Sequence, residues 1–426
     1  MTDLPEVSPI EHQGAIDWAH SVQARQAERL MGSLARDWNG KRADPAHTDR
    51  LIRAACEGGM PDELVEQMFN QPRGEKLSEF DEPDVRRSNS VLVDTLTRTM
   101  TEAGMATGGR RLMVSSLASG QVNALCAANS WDEKHYHIFV DADLMVFCHS
   151  VAKLVAECLV RGNPAPGEAS LDPELVSRNA RSAELQHRAA DLFGATVLYG
   201  TPRASEPWAP SAAAMPLVGL LSPALTSFPL AHELGHLHLG HLDAEQTQTA
   251  EVEGFEDLVA SIYAHEDEFQ ADAVGSVVTF QTTLRLEVPN IYTALAPYIF
   301  LKAVEILDAC FEIFEGQKGV MSFTHPSATD RSRAIRRVIA LHLAYHQSGA
   351  MLPAALNAVD RIMHWLLFAA VTSLQQLKDQ GRTPRERVRL RAAEEGAGVR
   401  ILGLVPPAAL AAGAGAGPAI DETAAS

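Results

Sequence analysis

The sequence predicts an α+β fold that is mostly α-helical and contains one small antiparallel sheet. Two observations lead to this prediction. Apolar residues recur at helical spacing over most of the 426 residues, and three short β-favouring runs lie together between residues 112 and 140. A hydrophobic content of 46% with 21% charged residues is typical of a globular protein that buries a substantial core.

Composition and charge exclude several classes of protein. The formal net charge of −18 argues against nucleic acid as the main partner, because a phosphate backbone recruits basic surfaces. Five scattered cysteines, none in a CxxC pair, suit neither a disulfide framework nor a thiolate zinc site, and they fit a reducing compartment. We see no signal peptide and no apolar run of about eighteen residues, so we expect a cytoplasmic protein without a membrane span.

The N-terminal region, residues 1–105, is predicted to be helical. Apolar residues follow helical spacing over 15–37 and 45–70, and a further helix is predicted over 83–103. The stretch GMATGGRR at 104–111 then ends the pattern, because its glycines favour turns.

Three short runs of β-favouring residues follow, at 112–115, 122–128 and 135–140. Turn residues separate one run from the next. This close succession predicts an antiparallel meander of three strands.

Helices and one long connection are predicted between the sheet and a histidine-rich stretch. Helical spacing covers 144–161 and 175–198, whereas residues 203–225 are rich in Pro, Ala and Ser and predict a loop. Ser227 can then cap a new helix, with Pro229 tolerated in its first turn.

From that point the chain is predicted to be helical almost to its end. One or two long helices fit 253–286, and another fits 291–314. An arginine-rich helix around 332–337 follows, and then a last apolar helix over 353–378. The Ala/Gly-rich tail at 404–426 is predicted to be disordered.

The stretch PLAHELGHLHLGH at 229–241 contains the pattern His-Glu-x-x-His. His232 and His236 are i and i+4 on a helix, about 40° apart, so both imidazoles project from one face and can grip a single ion. Glu233 points to the side of that ion. There a carboxylate can take a proton from a water whose pKa zinc lowers.

Several residues are candidates for a third ligand. His238 faces the opposite side of the helix and His241 points away on a continuous helix, so we expect both at the surface or behind the ligands. Glu268 and Asp272, in HEDEFQADAVG, are again i and i+4 on a predicted helix. One carboxylate can reach the metal while the other accepts the ring N–H of a ligating histidine. The small Ala271 would let the two helices approach closely.

These motifs resemble those of the gluzincin metallopeptidases of the type I CAAX prenyl protease and HtpX-like family. HELGH at 232–236 followed by EFQAD at 268–272 matches that family's HExxH…ExxAD signature. THPSATDRSRAI at 324–335 resembles its downstream His-Pro…Arg element, and QVNALCAAN with HYHIFVDADLM resembles two of its strands. The matches span about residues 120–335, in the expected order.

The resemblance implies a set of site residues. It implies three zinc ligands: His232, His236 and Glu268. It implies that Glu233 is the catalytic base and that Asp272 orients a ligating histidine. It also implies that His325 or Arg331 lies near the site, where either could stabilise an oxyanion.

The resemblance further implies a zincin-like metallopeptidase domain over 106–348, in which the small sheet flanks the helix that carries HExxH. Many members of the family have transmembrane helices, whereas this chain is predicted to be a soluble variant. An insertion is predicted at about 162–225, and a C-terminal helical region over 349–403.

The sequence therefore predicts a zinc-dependent endopeptidase that hydrolyses peptide bonds in a restricted set of protein substrates through a zinc-activated water. We expect the substrate to pair as an added strand with residues 135–140, while the insertion and the N-terminal helices restrict access. Two alternatives stay open: a regulatory or catalytically silent zinc-binding protein on the same scaffold, and a metal-dependent amidase. We expect neither a nucleic-acid partner nor a membrane span, and the oligomeric state is not indicated.

Overall fold

The computed structural model describes residues 9–31, 83–107, 109, 111–117, 122–128, 134–162, 168–242, 248–252, 255–285, 291–315, 326–344, 347–384 and 397–400. The predicted helix at 45–70, the candidate residue His325 and the predicted tail at 404–426 lie outside these ranges.

Helices make up most of the described chain, as the sequence predicted. Their bounds are α1 Pro9–Met31, α2 Pro83–Glu102, α3 Leu144–Val160, α4 Pro173–Ala180, α5 Ala183–Tyr199, α6 Met215–His238, α7 His265–Arg285, α8 Ile291–Ala294, α9 Ala296–Glu315, α10 Ala328–Leu343 and α11 Leu352–Asp379. Side chains that precede several helices supply the expected caps, because a helix begins with unpaired N–H groups. Asp172 accepts from the Glu174 N–H at the start of α4, and Ser327 accepts from the Asp330 N–H at the start of α10.

The first sheet contains β1 Arg111–Leu117, β2 Ala124–Ala128 and β3 His135–Asp141. β3 lies in the middle, parallel to β1 and antiparallel to β2. The predicted antiparallel meander is therefore wrong, and the sheet is mixed. Every residue of β3 is buried, which suits a central strand covered on both faces. Because both backbone edges of β3 are paired, residues 135–140 are not an edge strand, and the predicted docking of substrate there is wrong.

A second sheet replaces part of a predicted helix. It consists of β4 Gln248–Val252, β5 Phe255–Ala264 and β6 Ala397–Arg400, with antiparallel pairing on both sides of β5. The prediction of helix throughout 253–286 is therefore wrong for its first part. FEDLVASIYA is rich in aromatic and β-branched residues, and pairing with two neighbours stabilises it as a strand. α7 begins only at His265, where three acidic residues in the first turn favour a helix N-terminus.

The helix that carries the histidine cluster is longer than predicted. α6 begins at Met215, not near Ser227, so the predicted loop at 203–225 ends eleven residues early. Pro223 and Pro229 lie inside the helix, where each costs about 3 kcal/mol in an exposed setting. α6 is continuously buried from Ala224 to Leu237, which includes Pro229, whereas Pro223 is exposed, and the apolar burial of this stretch outweighs the cost of the prolines.

α6 lies at the centre of the protein. It packs against α3, α7, α9 and β2. α4 and α5, which fall within the predicted insertion, pack against α11. Helix α1 covers the first sheet, with the Trp18 ring 4.7 Å from the ring of His137 in β3. The four described cysteines form no disulfide bond with one another, and all four are buried.

Among the described residues, one helical stretch, Gly349–Asp379, is long and apolar enough to cross a membrane by length and composition. Half of its most apolar window is buried inside the protein. A core helix passes the same test, so this stretch is weak support for a membrane span. Cytoplasmic location stays a prediction.

Candidate metal centre

The site lies where α6 crosses α7, and two glycines make this crossing close. A Cβ on Gly275 of α7 would lie 2.8 Å from the backbone nitrogen of His232. A Cβ on Gly235 of α6 would lie 3.0 Å from the carbonyl oxygen of Ala271. Side chains at these two positions would push the helices apart. The close approach that the small Ala271 suggested therefore depends on three small residues, of which the glycines were not identified from the sequence.

The crossing brings the three predicted ligands together. The Nε2 atoms of His232 and His236 are 3.1 Å apart, and the Glu268 carboxylate oxygens lie 3.4 Å from the first and 3.5 Å from the second. Ligands about 2.0–2.1 Å from a tetrahedral zinc ion are separated by about 3.3 Å, so the donor atoms have the spacing that such an ion requires. These three buried residues form a group that could hold a metal ion.

The charges around the ligands also favour a cation. Glu233, Glu268 and Asp272 are each at most 1% exposed, and the Arg331 guanidinium is 14% exposed. Three ionised carboxylates and one guanidinium would carry a net charge of −2 within this cluster. Uncompensated charge is costly in a buried place, and a divalent cation would neutralise it.

Asp272 lies directly behind His232. Its Oδ1 is 2.9 Å from His232 Nδ1, and Arg331 donates to both carboxylate oxygens, from Nε at 2.8 Å and from Nη2 at 2.7 Å. Burial alone would raise the pKa of Asp272, but the Arg331 guanidinium and the His232 ring outweigh this effect and hold the pKa below its ordinary value. The ionised carboxylate keeps the Nδ1 proton on His232, which leaves Nε2 free to ligate.

Arg331 and His325 were both predicted to lie near the site, and the structure describes the position of Arg331 alone. Arg331 does lie near the site, but the bonds described above direct its guanidinium to Asp272. This geometry supports a role in positioning Asp272, while a contact with a substrate oxyanion stays a prediction. His325 precedes the first described residue of its segment, Pro326, so its position is not described.

His241 returns to the site in a way that the helical pattern did not indicate. α6 ends at His238, and Gly240 adopts a left-handed conformation with φ of 73°. The His241 N–H then bonds to the His236 carbonyl at 3.0 Å, which turns the chain back on the helix end. As a result, His241 Nδ1 lies 3.0 Å from His236 Nδ1.

The surroundings of His241 favour its neutral form. Burial lowers the pKa of His241 below its ordinary value, although the nearby Asp267 and Glu268 carboxylates oppose this shift. His238, in contrast, contacts the carbonyl oxygen of Ala106 at 2.9 Å, away from the ligands. Of the two extra histidines, only His241 is thus shown in contact with a candidate ligand, and a glycine after a helical pattern was the sequence signal for its return.

Glu233 is held by the edge of the first sheet. Its Oε2 accepts a hydrogen bond of 2.6 Å from the Cys126 backbone N–H in β2. Since β2 pairs with β3 on one side, this N–H points away from β3 and toward α6. The carboxylate is 1% exposed and fixed next to the ligand group, where it can act on a bound molecule.

The metal group, the buried carboxylate of Glu233 and the neighbouring edge strand together form a site that can bind and polarise a small polar group. No protein-family model, curated protein or solved structure matches the chain.

Proposed function

We propose that this protein is a zinc-dependent endopeptidase. The observation behind the proposal is the buried group of His232, His236 and Glu268, with the Glu233 carboxylate beside it. Three protein ligands of this kind are typical of catalytic zinc sites, which keep one coordination position for water or substrate. The structural alternative, a site closed by four protein ligands, is not favoured because the described group has three.

The choice of zinc rests on donor chemistry. Two imidazole nitrogens and one carboxylate suit zinc, whereas magnesium and calcium prefer oxygen ligands alone. When bound, zinc lowers the pKa of a water and polarises a carbonyl group.

Glu233 is the proposed general base. Its carboxylate takes a proton from the attacking water and passes it to the leaving amine. The Cys126 N–H holds Oε2 and thereby fixes the position of the carboxylate. A zinc site with a purely structural role needs no such buried carboxylate, so the presence of Glu233 supports catalysis over the regulatory alternative.

We propose that the substrate lies along β2 rather than along residues 135–140. β2 is an edge strand that pairs with β3 alone among the described strands, and Cys126 at its centre contacts Glu233. The outward N–H groups of Ala124 and Cys126 are already bonded, to the Asn123 side chain and to Glu233, so the substrate would approach this strand without pairing along its whole edge. Side-chain contacts elsewhere would set the restricted choice of substrate.

Two substitutions test the proposal. Glu233→Gln removes the base and leaves the metal ligands, so we expect cleavage to fall about 100- to 10,000-fold with unchanged zinc content. Glu268→Ala removes a ligand, and we expect zinc to be lost. Glu266→Gln, an exposed position on the same helix as Glu268, is the matched control.

The measurements are elemental analysis of the purified proteins and identification of new protein termini in cell extracts treated with each variant. Equal zinc in wild type and Glu268→Ala would remove Glu268 from the ligand set. Zinc in the wild type without termini that depend on Glu233 would contradict the peptidase and favour the regulatory alternative.

A further inference from the structure

We propose that His241 is a positioning residue for the metal ligand His236, and that Asp267 sets the orientation of the His241 proton. The inference rests on the proposed function, because it assigns a role toward the proposed metal. It concerns a contact that lies on the opposite side of His236 from the ligand group.

The side chains of His236, His241 and Asp267 form a series of contacts that leads away from the metal position. His236 Nδ1 lies 3.0 Å from His241 Nδ1, and His241 Nε2 lies 3.6 Å from Asp267 Oδ1. The His241 side chain is 7% exposed and that of Asp267 is 32% exposed. The Gln270 side chain also hydrogen-bonds to His241.

The positions of the ring protons on His236 and His241 follow from the nitrogen through which His236 would bind the metal. If Nε2 of His236 binds a metal, its Nδ1 carries the ring proton and donates to His241 Nδ1. His241 must then carry its own proton on Nε2, which faces the Asp267 carboxylate. The negative charge at 3.6 Å favours this tautomer electrostatically, although the distance is too long for a hydrogen bond. Each ring thus has one arrangement of its proton that suits the charges and donors around it.

The backbone builds this contact at the end of α6. On a continuous helix His241 would lie about 140° around the axis from His236, because each residue advances about 100°. Gly240 in its left-handed conformation instead reverses the chain, and the N–H of Gly240 bonds to the Leu237 carbonyl at 3.3 Å. These backbone bonds involve no side chain of the ligand group, so the helix end itself sets the position of His241.

His238 offers a matched control in the same short stretch. It is also a histidine near the end of α6, but its Nδ1 contacts the Ala106 carbonyl oxygen rather than a ligand. Loss of the His238 ring removes a tertiary contact of similar kind without altering the surroundings of His236.

The experiment measures zinc affinity of the full chain by competition with a chelator, so it needs no catalytic readout. We expect His241→Leu, which has no acceptor for the His236 proton, to weaken zinc binding about 10- to 100-fold. We expect His241→Asn to recover most of this loss, because its Oδ1 can occupy the place of Nδ1 and accept the same proton. His238→Leu should bind zinc as the wild type does.

Circular dichroism of the metal-free variants checks that each one is folded. If His241→Leu does not fold, the comparison of His241→Asn with His241→Ala, together with Asp267→Asn, decides the question in the same assay. Wild-type affinity in His241→Leu, or equal losses in the Leu and Asn variants, would overturn the positioning role. A wild-type protein that binds no zinc would instead overturn the proposed function, and the positioning role with it.

Discussion

The two imidazoles that face the metal position are supported from behind by different partners. Behind His232 lies Asp272, at most 1% exposed, whose two oxygens are both bonded to Arg331. We call these three residues the carboxylate arm. Its charges are opposite and adjacent, and it holds the ligand inside the core through the 2.9 Å contact between His232 Nδ1 and Asp272 Oδ1.

Behind His236 lies the neutral ring of His241, and Asp267 follows at the rim of the site. We call these three residues the imidazole arm. Asp267 is about one-third exposed, so water screens its charge.

Because the two arms differ in burial and charge, we expect them to have different roles in the candidate metal site. Breaking the carboxylate arm leaves a buried charge without its partner, which affects the stability of the whole fold. Breaking the imidazole arm removes a neutral hydrogen bond near the surface, which affects the ligand more than the fold. The first arm therefore anchors the crossing of α6 with α7, and the second adjusts a ligand at the end of α6.

The largest expected effect comes from removing the aspartate of each arm in turn. Asp272→Ala leaves the Arg331 guanidinium without its carboxylate, and we expect a loss of about 3–5 kcal/mol in the free energy of unfolding. Asp267→Ala removes a partly exposed charge, and we expect a loss of less than about 1 kcal/mol. Urea unfolding of the metal-free proteins measures both values without a contribution from zinc.

The double variant Asp272→Ala with Arg331→Met is the control, because it removes both charges of the pair. It should recover part of the stability that Asp272→Ala loses. Equal losses for Asp272→Ala and Asp267→Ala would show that the two arms do not differ in the way described.

A smaller effect is expected from the glycines at the helix crossing. Gly275→Ala would place a methyl group 2.8 Å from the His232 backbone nitrogen, so we expect α7 to shift and the free energy of unfolding to fall by about 1–3 kcal/mol. Gly235→Ala meets the Ala271 carbonyl oxygen at 3.0 Å and should cost less. Because a methyl group on Gly275 meets the backbone of His232, a residue of the carboxylate arm, we expect an added methyl group at the helix crossing to disturb this arm more than the imidazole arm.

Gly219→Ala is the matched control on α6, since a Cβ there has no neighbour within 4 Å. It should stabilise the protein by about 0.5–1 kcal/mol, because alanine favours a helix over glycine. Thermal unfolding of Gly275→Ala, Gly235→Ala and Gly219→Ala measures the order of their stabilities. A stabilising Gly275→Ala would show that the two helices tolerate a wider separation.

Much of the secondary structure could be predicted from local sequence patterns. The wrong predictions concern features that depend on contacts between distant parts of the chain. The position of β3 was predicted within one residue, but its central place was not, because alternation within a strand does not indicate which neighbours it pairs with. The start of α6 was missed because Pro223 and Pro229 suggest a break, and the burial of the helix from Ala224 to Leu237 overrides that local preference. β5 was missed because a short apolar run fits a strand and a buried helix equally well.

In the candidate site, too, local sequence patterns predicted some contacts and could not predict others. His232 and His236 could be paired from the sequence because i and i+4 share a helix face whatever the rest of the fold does. Glu268 and Asp272 were candidates from their i and i+4 spacing, but the choice of Glu268 as the ligand needed the resemblance, since the distances to the histidines depend on how two helices cross. The Cys126 N–H could not be predicted as the partner of Glu233, because every residue except proline has such a donor and the sequence does not distinguish one from another.

The smallest expected effect is reversible and depends on pH. The pKa of Asp272 is lower in the folded protein than in the unfolded chain, where an aspartate has a pKa of about 3.9. The unfolded chain therefore binds a proton first as the pH falls, and acid favours unfolding. The stability that the ionised carboxylate contributes should be complete above about pH 5, and it should be lost as the pH falls through the folded pKa.

Asp272→Asn isolates this contribution, because its amide does not titrate and keeps nearly the same shape. We expect the wild type to be more stable than Asp272→Asn at neutral pH, and the difference to shrink as the pH falls below about 4, where the unfolded aspartate becomes protonated. Urea unfolding of both metal-free proteins between neutral pH and acid measures this difference. It is smaller than the effect of Asp272→Ala, because mild acid protonates only part of a carboxylate that Arg331 keeps ionised. A difference that stays constant across this range would mean that the pKa of Asp272 is the same in the folded and the unfolded protein. Arg331 and His232 would then not stabilise the ionised carboxylate, and the carboxylate arm would hold His232 no differently from the way that His241 holds His236.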